Sequence, residues 1–326
     1  MKRLIDKVLG AYVHTKYRNM DSNLRYFIRD TLYCDLMQWK YPLKDHLIKK
    51  KYKEIEFSGE FGPELQFVLP FAYWHYKNGT LKCTVSTKNM SEFYYFSPDH
   101  QETSKARTNE GNYNFEVPRI LYSHNYDIKK WLPVPLKEVY KNDIYLFQKP
   151  ALIIANRYNM EWDGPPISFL SIEMLQYIFE TLKDNYTIIY NRPGAQHITM
   201  DNSEIYELNE IGWIKENYPE VLLMHDLYEE NRGGAKNFNH LQLMVYANAE
   251  NFISTHGGTS VLASYFGGTN IILSKQGPEH VFGCYEALYP KLSGARIFHA
   301  KNDEELKTMI EANLVVGKLE ANEAFK

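Results

Sequence analysis

Residues 251–266 read NFISTHGGTSVLASYF. The run NFIST has the β-branched and aromatic content of a strand and stops at a glycine pair. Thr259 and Ser260 follow, residue types that open helices, and then the apolar run VLASYF. Strand, bare turn and helix in immediate succession form the repeating unit of an α/β protein with a parallel sheet.

The same alternation extends outward from this stretch. TNIILS (269–274) is a further strand, and Asn302 is placed to cap a last helix over 302–314. Upstream, ALIIAN (151–156), NYTIIYN (185–191) and EVLLMHD (220–226) are strands. A loop with Trp162, Gly164, Pro165 and Pro166 follows the first of them. Ser168 is placed to cap a helix running to about Lys183, and another helix covers 238–249. An earlier series has the same character. YKEIEFS (52–58) is a strand, GEFGPE (59–64) a turn, LQFVLPFAYWHYKN (65–78) a helix with Pro70 in its second turn, and TLKCTVST (80–87) a strand. Residues 88–117 form a long polar and aromatic loop, and the prolines at 133, 135 and 150 mark a connection. The expected fold is α/β, with two Rossmann-like domains facing across a cleft and an N-terminal helical extension. Its expected parts are 1–50 (two helices, 1–18 and 22–39), 51–145, 146–300, and a C-terminal helical segment 301–326.

Composition narrows the function. A chain of 326 residues, 44% hydrophobic, has enough apolar material for two cores. A net charge of −3 gives no whole-protein reason to bind nucleic acid. The three cysteines, Cys34, Cys83 and Cys284, form neither a disulfide framework nor a zinc spacing. No apolar run approaches the ~20 residues of a membrane span, and the first residues lack the apolar core of a signal peptide. A cytoplasmic location is expected. The 26 tyrosines suit either core packing or stacking on sugar faces.

Charge is uneven. Residues 1–53 hold 13 Lys+Arg against 5 Asp+Glu, a balance of +8, which leaves −11 for the rest. Leu4, Ile5, Val8, Leu9, Tyr12 and Val13 recur at helical spacing, with Lys2, Arg3, Lys7 and His14 off that face. A basic amphipathic helix either docks its apolar face on its own protein or lies on an anionic membrane surface. Peripheral membrane contact through 1–53 is one expectation.

The turn at His256, Gly257, Gly258, Thr259 and Ser260 lies at the carboxyl end of its strand, where open parallel sheets bind ligands. Free N–H groups at a helix start attract anions, and glycine lets a phosphate approach. The alternative is a plain tight turn with a hydroxyl cap. Arg157 and Arg192 each follow a strand, at the same level, and Arg suits bidentate phosphate contact. Glu279, after the next strand, could accept from ribose hydroxyls. There is no GxGxxG fingerprint and no P-loop lysine. In the first domain, Glu60, and after it Glu64, could take a proton from an acceptor hydroxyl. Asp99 and His100, in the long loop, are weaker acceptor contacts, and His75 is structural. No Asp-X-Asp triplet occurs, the acids over 201–230 suit a solvated face, and no metal is expected.

This layout resembles glycosyltransferases of the two-Rossmann type, usually called GT-B, over roughly residues 52–300. GEFGPELQFVLPFAYWHYKNG is similar to the first strand-turn-helix of their fucosyltransferase-like branch. Gly59 and Gly62 match its G-x-x-G-N-Q turn, and Pro63 and Glu64 replace the Asn and Gln. LIIANRYN resembles the strand whose arginine contacts the donor diphosphate, here Arg157, although Tyr158 stands where that branch has a second Arg. STHGGTS resembles the donor-phosphate loop of GT-B enzymes, including those of polysaccharide biosynthesis. The resemblance implies transfer of a sugar from a nucleotide sugar, as substrate and without a cofactor, to a hydroxyl of a glycan or lipid-linked acceptor. It would be metal-independent, and inverting if Glu60 is the base. The alternatives are a UDP-sugar 2-epimerase, whose glycine loop is followed by acids where VLASYF stands here, a non-catalytic sugar-nucleotide binding module, and a pyruvyl transferase on the same scaffold.

Overall fold

The computed structural model describes residues 2–108, 129–161, 164–194 and 204–315. Trp162, part of the expected long loop, the start of the acidic stretch at 201 and the end of the C-terminal segment lie outside them. The chain is α/β and divides into two compact units. The first comprises Met1–Val134 and Gly277–Leu288, the second Pro135–Gln276 and Tyr289–Lys326. The division falls at Pro135, within the proline-marked connection, and 277–288 belongs with the earlier part of the chain.

The first unit opens with helices Lys2–Lys16 and Ser22–Gln38. Its sheet has three parallel strands: β1 (Lys53–Glu56), β2 (Leu81–Thr87) and β3 (His100–Thr103), in that order. His100 lies in β3, paired with Thr84 of β2, and not in the expected long loop. The crossover from β1 to β2 is helical, and Pro70 shapes it. Proline has no N–H to give to the carbonyl four residues back. The helix widens to a π turn over Glu64–Val68 before resuming as Leu69–Lys77. The Gln66 carbonyl that loses its partner accepts instead from the Trp131 indole at 2.7 Å.

The second unit holds six parallel strands: β4 (Ala151–Ala155), β5 (Thr187–Asn191), β6 (Leu222–Leu223), β7 (Asn251–Thr255), β8 (Thr269–Leu273) and β9 (Arg296–Ala300). Their spatial order is β6-β5-β4-β7-β8-β9. The chain winds outward from β4 to one edge, returns to the middle at β7, and winds to the other edge. This is the order of a doubly wound nucleotide-binding sheet, with its switch point between β4 and β7. β4 and β8 are buried along their whole length, which explains the unbroken apolar run of β4 and the apolar second half of β8. Leu152, Ile154, Ile253 and Leu273 pack one face against Phe179 of helix Ile172–Leu182 and Ile310 of helix Asp303–Asn313. On the other face Phe252 meets Tyr246 of helix Phe238–Tyr246, ring centroids 5.6 Å apart.

Three local readings change. Ser171, not Ser168, caps helix Ile172–Leu182. The strand expected over 220–226 shrinks to Leu222–Leu223, because helix Met224–Glu230 begins at once. β9 is an added strand. Asn302 does cap the last helix, accepting from the Glu305 N–H at 2.9 Å.

Candidate functional site

Two strand ends meet at the switch point, and each delivers part of the candidate site. At the end of β4, Asn156 is fully buried and fully used. Its amide donates to the Leu170 carbonyl and the Tyr190 hydroxyl, both at 3.0 Å. Its carbonyl accepts from the N–H groups of Leu170 and Arg157, both at 2.9 Å. A side chain held by four bonds fixes the backbone from which Arg157 departs.

At the end of β7, Gly257 has φ 93° and ψ −150°, a conformation essentially confined to glycine. Arg157 lies against it. A Cβ on Gly257 would stand 2.4 Å from Arg157 Nη1. Nη1 donates to the His256 carbonyl at 3.2 Å. The helix that follows, Gly258–Ala263, is too short to carry a sizeable dipole. What the turn offers is local: the N–H groups of Gly257, Gly258 and Thr259 make no hydrogen bond to a described residue.

Other members of the turn are used internally. Thr259 donates its hydroxyl to the Thr255 carbonyl at 2.7 Å, and Ser260 donates to the Gly257 carbonyl at 2.8 Å. Their hydroxyl hydrogens therefore brace the turn. His256 is buried, its Nδ1 3.3 Å from the Ser274 hydroxyl. A neighbour the sequence reading passed over is Glu161. Its Oε1 accepts from the Ser168 N–H at 3.0 Å and stands 3.8 Å from Arg157 Nη2. The signal was present, an acid four residues after the arginine. Arg157 Nε and Glu161 Oε2 are buried and hydrogen-bond to no described residue.

Arg192 does not join this group. Its Nε donates to Glu210, which is fully buried. Glu210 also accepts from the Tyr190 hydroxyl at 3.2 Å, and Glu207 lies 3.8 Å from Arg192 Nη2. The second cation thus has its charge matched inside the protein. Glu210 also departs from the solvated face expected of the 201–230 acids. Glu279 is buried on helix Pro278–Phe282, which belongs to the first unit.

In the first unit, Glu60 is exposed at the start of the turn after β1, with no side-chain cap bond to the following helix. Glu64 is fully buried. Its Oε2 pairs with Arg107 Nη1 at 2.6 Å, and its Oε1 accepts from the Tyr94 hydroxyl at 3.0 Å. Burial pushes its pKa up, and the Arg107 guanidinium pulls the other way. A carboxylate so enclosed is a structural ion pair rather than a base open to an acceptor. Arg107 Nη1 also donates to the Gly59 carbonyl at 2.7 Å and so fixes the turn that carries Glu60. His100 is clamped in the sheet: Nδ1 lies 2.8 Å from the Thr84 hydroxyl, Nε2 3.3 Å from Ser86, and the ring stacks on Tyr94. Burial lowers its pKa. Asp99 is exposed and accepts from the Gln101 amide at 3.0 Å.

Among the described residues no group of three or more His, Cys, Asp or Glu is arranged to hold a metal ion. No helix there is long and apolar enough to cross a membrane. No family model, no curated protein and no solved structure matches the chain.

Proposed function

We propose that the protein is a nucleotide-sugar-dependent glycosyltransferase of the GT-B type, whose second unit holds the donor diphosphate at the β4/β7 switch point. The observation that carries this reading is the apposition of the Arg157 guanidinium and the Cβ-less Gly257 at the strand ends where doubly wound sheets bind nucleotides. The guanidinium and the N–H groups of Gly257, Gly258 and Thr259 bind a diphosphate together.

In this reaction the acceptor oxygen attacks the anomeric carbon as the bond from that carbon to the diphosphate oxygen breaks. The electron pair leaves with the diphosphate, where Arg157 and the turn N–H groups stabilise it. The acceptor proton passes to Glu60, the carboxylate left in this role once Glu64 is committed to Arg107.

A thermal-shift screen with UDP, GDP, CMP, ADP and dTDP and their sugars tests the donor site, since a ligand of the native state raises the melting temperature by mass action. One nucleotide series is expected to stabilise the parent, and Arg157→Ala to lose that response. If no nucleotide shifts the parent, the donor site is wrong. Glu60→Gln then separates binding from chemistry: donor binding stays and transfer to acceptor disappears.

A further inference from the structure

Residues 39–51 read WKYPLKDHLIKKK and connect helix Ser22–Gln38 to β1. Trp39, Leu43 and Leu47 recur every four residues and are 61%, 56% and 76% exposed, and Ile48 beside them is 48% exposed. Isolated exposed apolar residues are ordinary, but four large ones between residues 39 and 48 are not. Lys40, Lys44, Lys49, Lys50 and Lys51 are interleaved with them, all exposed. Lys129 stands over the Trp39 ring, 4.9 Å from its centroid.

The single acid of the segment faces inward. Asp45 is fully buried, where it pairs with Lys130 Nζ at 2.6 Å and accepts from the Tyr52 hydroxyl. The Asn78 amide donates to the Asp45 carbonyl at 2.6 Å. The segment is thereby fastened to the first unit through Asp45, and its outer side presents lysines and apolar side chains with no carboxylate of its own among them.

We infer that residues 39–51 dock the protein on an anionic phospholipid surface. Leu43, Leu47 and Ile48 enter the acyl boundary, Trp39 sits at headgroup level, and the lysines meet the lipid phosphates. Charge complementarity selects this occupant, because residues 1–53 carry a balance of +8. Nucleic acid would use the lysines and leave three aliphatic side chains without a role, since bases stack on aromatic faces. The inference is independent of the proposed chemistry; where both hold, the surface brings the enzyme to a lipid-linked acceptor.

Vesicle flotation of the full chain tests it, with phosphatidylcholine vesicles that contain or lack phosphatidylglycerol. The parent is expected to float with the anionic vesicles, less so at high salt, and not with phosphatidylcholine alone. Combined Lys49→Ala, Lys50→Ala and Lys51→Ala should weaken binding on the order of 100-fold, at about fivefold per lysine. Leu47→Ser should weaken it about tenfold. Both variants should melt like the parent, because the altered side chains are exposed. Trp39→Phe should still float and should lose the part of the fluorescence blue-shift that the parent shows on anionic vesicles. The inference is overturned if the parent does not float, or if the variants float as well as the parent. It is equally overturned if Leu47→Ser abolishes self-association of a parent that ignores vesicles, or if the lysines prove to bind RNA and not lipid.

Discussion

Gly257→Ala is the sharpest probe of the switch point. At φ 93° and ψ −150° a non-glycine residue costs on the order of 1–3 kcal/mol in backbone strain alone. The new Cβ would lie 2.4 Å from Arg157 Nη1 and 3.6 Å from its Cζ, so the guanidinium must swing away. Steric relief is easy for the end of a flexible side chain, but the swing breaks the 3.2 Å bond to the His256 carbonyl. A hydrogen bond from a charged donor contributes about 1.5–3 kcal/mol. The two effects overlap, and a loss of about 2–4 kcal/mol is expected in urea unfolding. Gly234→Ala is the control. Its φ is +61°, and nothing lies within 4 Å of its Cβ position, so it should cost about 1–2 kcal/mol of left-handed strain and leave nucleotide binding intact. In the thermal-shift assay Gly257→Ala should lose the nucleotide response that Gly234→Ala keeps. A Gly257→Ala protein no less stable than Gly234→Ala, with its nucleotide response unchanged, would refute the role given to this contact.

Two further predictions concern buried charge in the first unit. Arg107→Ala strands the Glu64 carboxyl in the interior and should cost about 3–5 kcal/mol at neutral pH. Burial raises the Glu64 pKa and Arg107 opposes that rise, so removing Arg107 raises it further. The added cost is absent below the unfolded pKa and grows as pH rises, so this deficit should shrink toward pH 4 in urea titrations, and a pH-independent deficit would contradict the assignment. His75 is buried, chiefly by which its pKa falls to about 3, with Lys53 adding to the effect. Its depressed pKa contributes stability above the unfolded value near 6.5 that is lost as pH falls toward 3, about 5 kcal/mol in all. His75→Gln, less stable at pH 7, should therefore converge on the parent by pH 4, and parallel stability curves would refute this.

The sheet of the second unit was legible where strands are buried on both sides. ALIIA is an unbroken apolar run, TIIYN, NFIST and TNIIL are rich in apolar and β-branched residues, and each is a strand. β9, RIFHA, escaped because it lies at the sheet edge, half-exposed, with Arg and His breaking the run. The run VLLM was ambiguous for a physical reason: a short apolar run fits a strand or a buried helix equally well. Ser168 and Ser171 are both plausible caps. What separates them is the Lys275 N–H, which donates to the Ser168 hydroxyl at 3.0 Å from 107 residues away. Tertiary partners of this kind are invisible to local spacing. The switch point depends on strand order, which alternation along the chain does not encode.

The two strand-end arginines make the same point about chemistry. In sequence they are equivalent, each the first residue after an asparagine that closes a strand. In the fold their carboxylate partners differ. Glu210 is fully buried, and with the Tyr190 hydroxyl beside it, it binds Arg192 directly; that guanidinium is 7% exposed. Pulling Arg192 toward a ligand would leave a buried carboxylate without its counter-charge, a penalty of several kcal/mol that phosphate contact would have to offset. Glu161 stands farther from Arg157, at 3.8 Å, and its near oxygen is already engaged by the Ser168 N–H. Arg157 is 21% exposed and keeps a buried Nε that no described residue accepts. Glu161 is buried as well, but a guanidinium 3.8 Å from a carboxylate that already holds a backbone N–H gives up less by turning to an incoming diphosphate than one bonded directly to its partner. Of the two cations, Arg157 is therefore the one that phosphate can recruit.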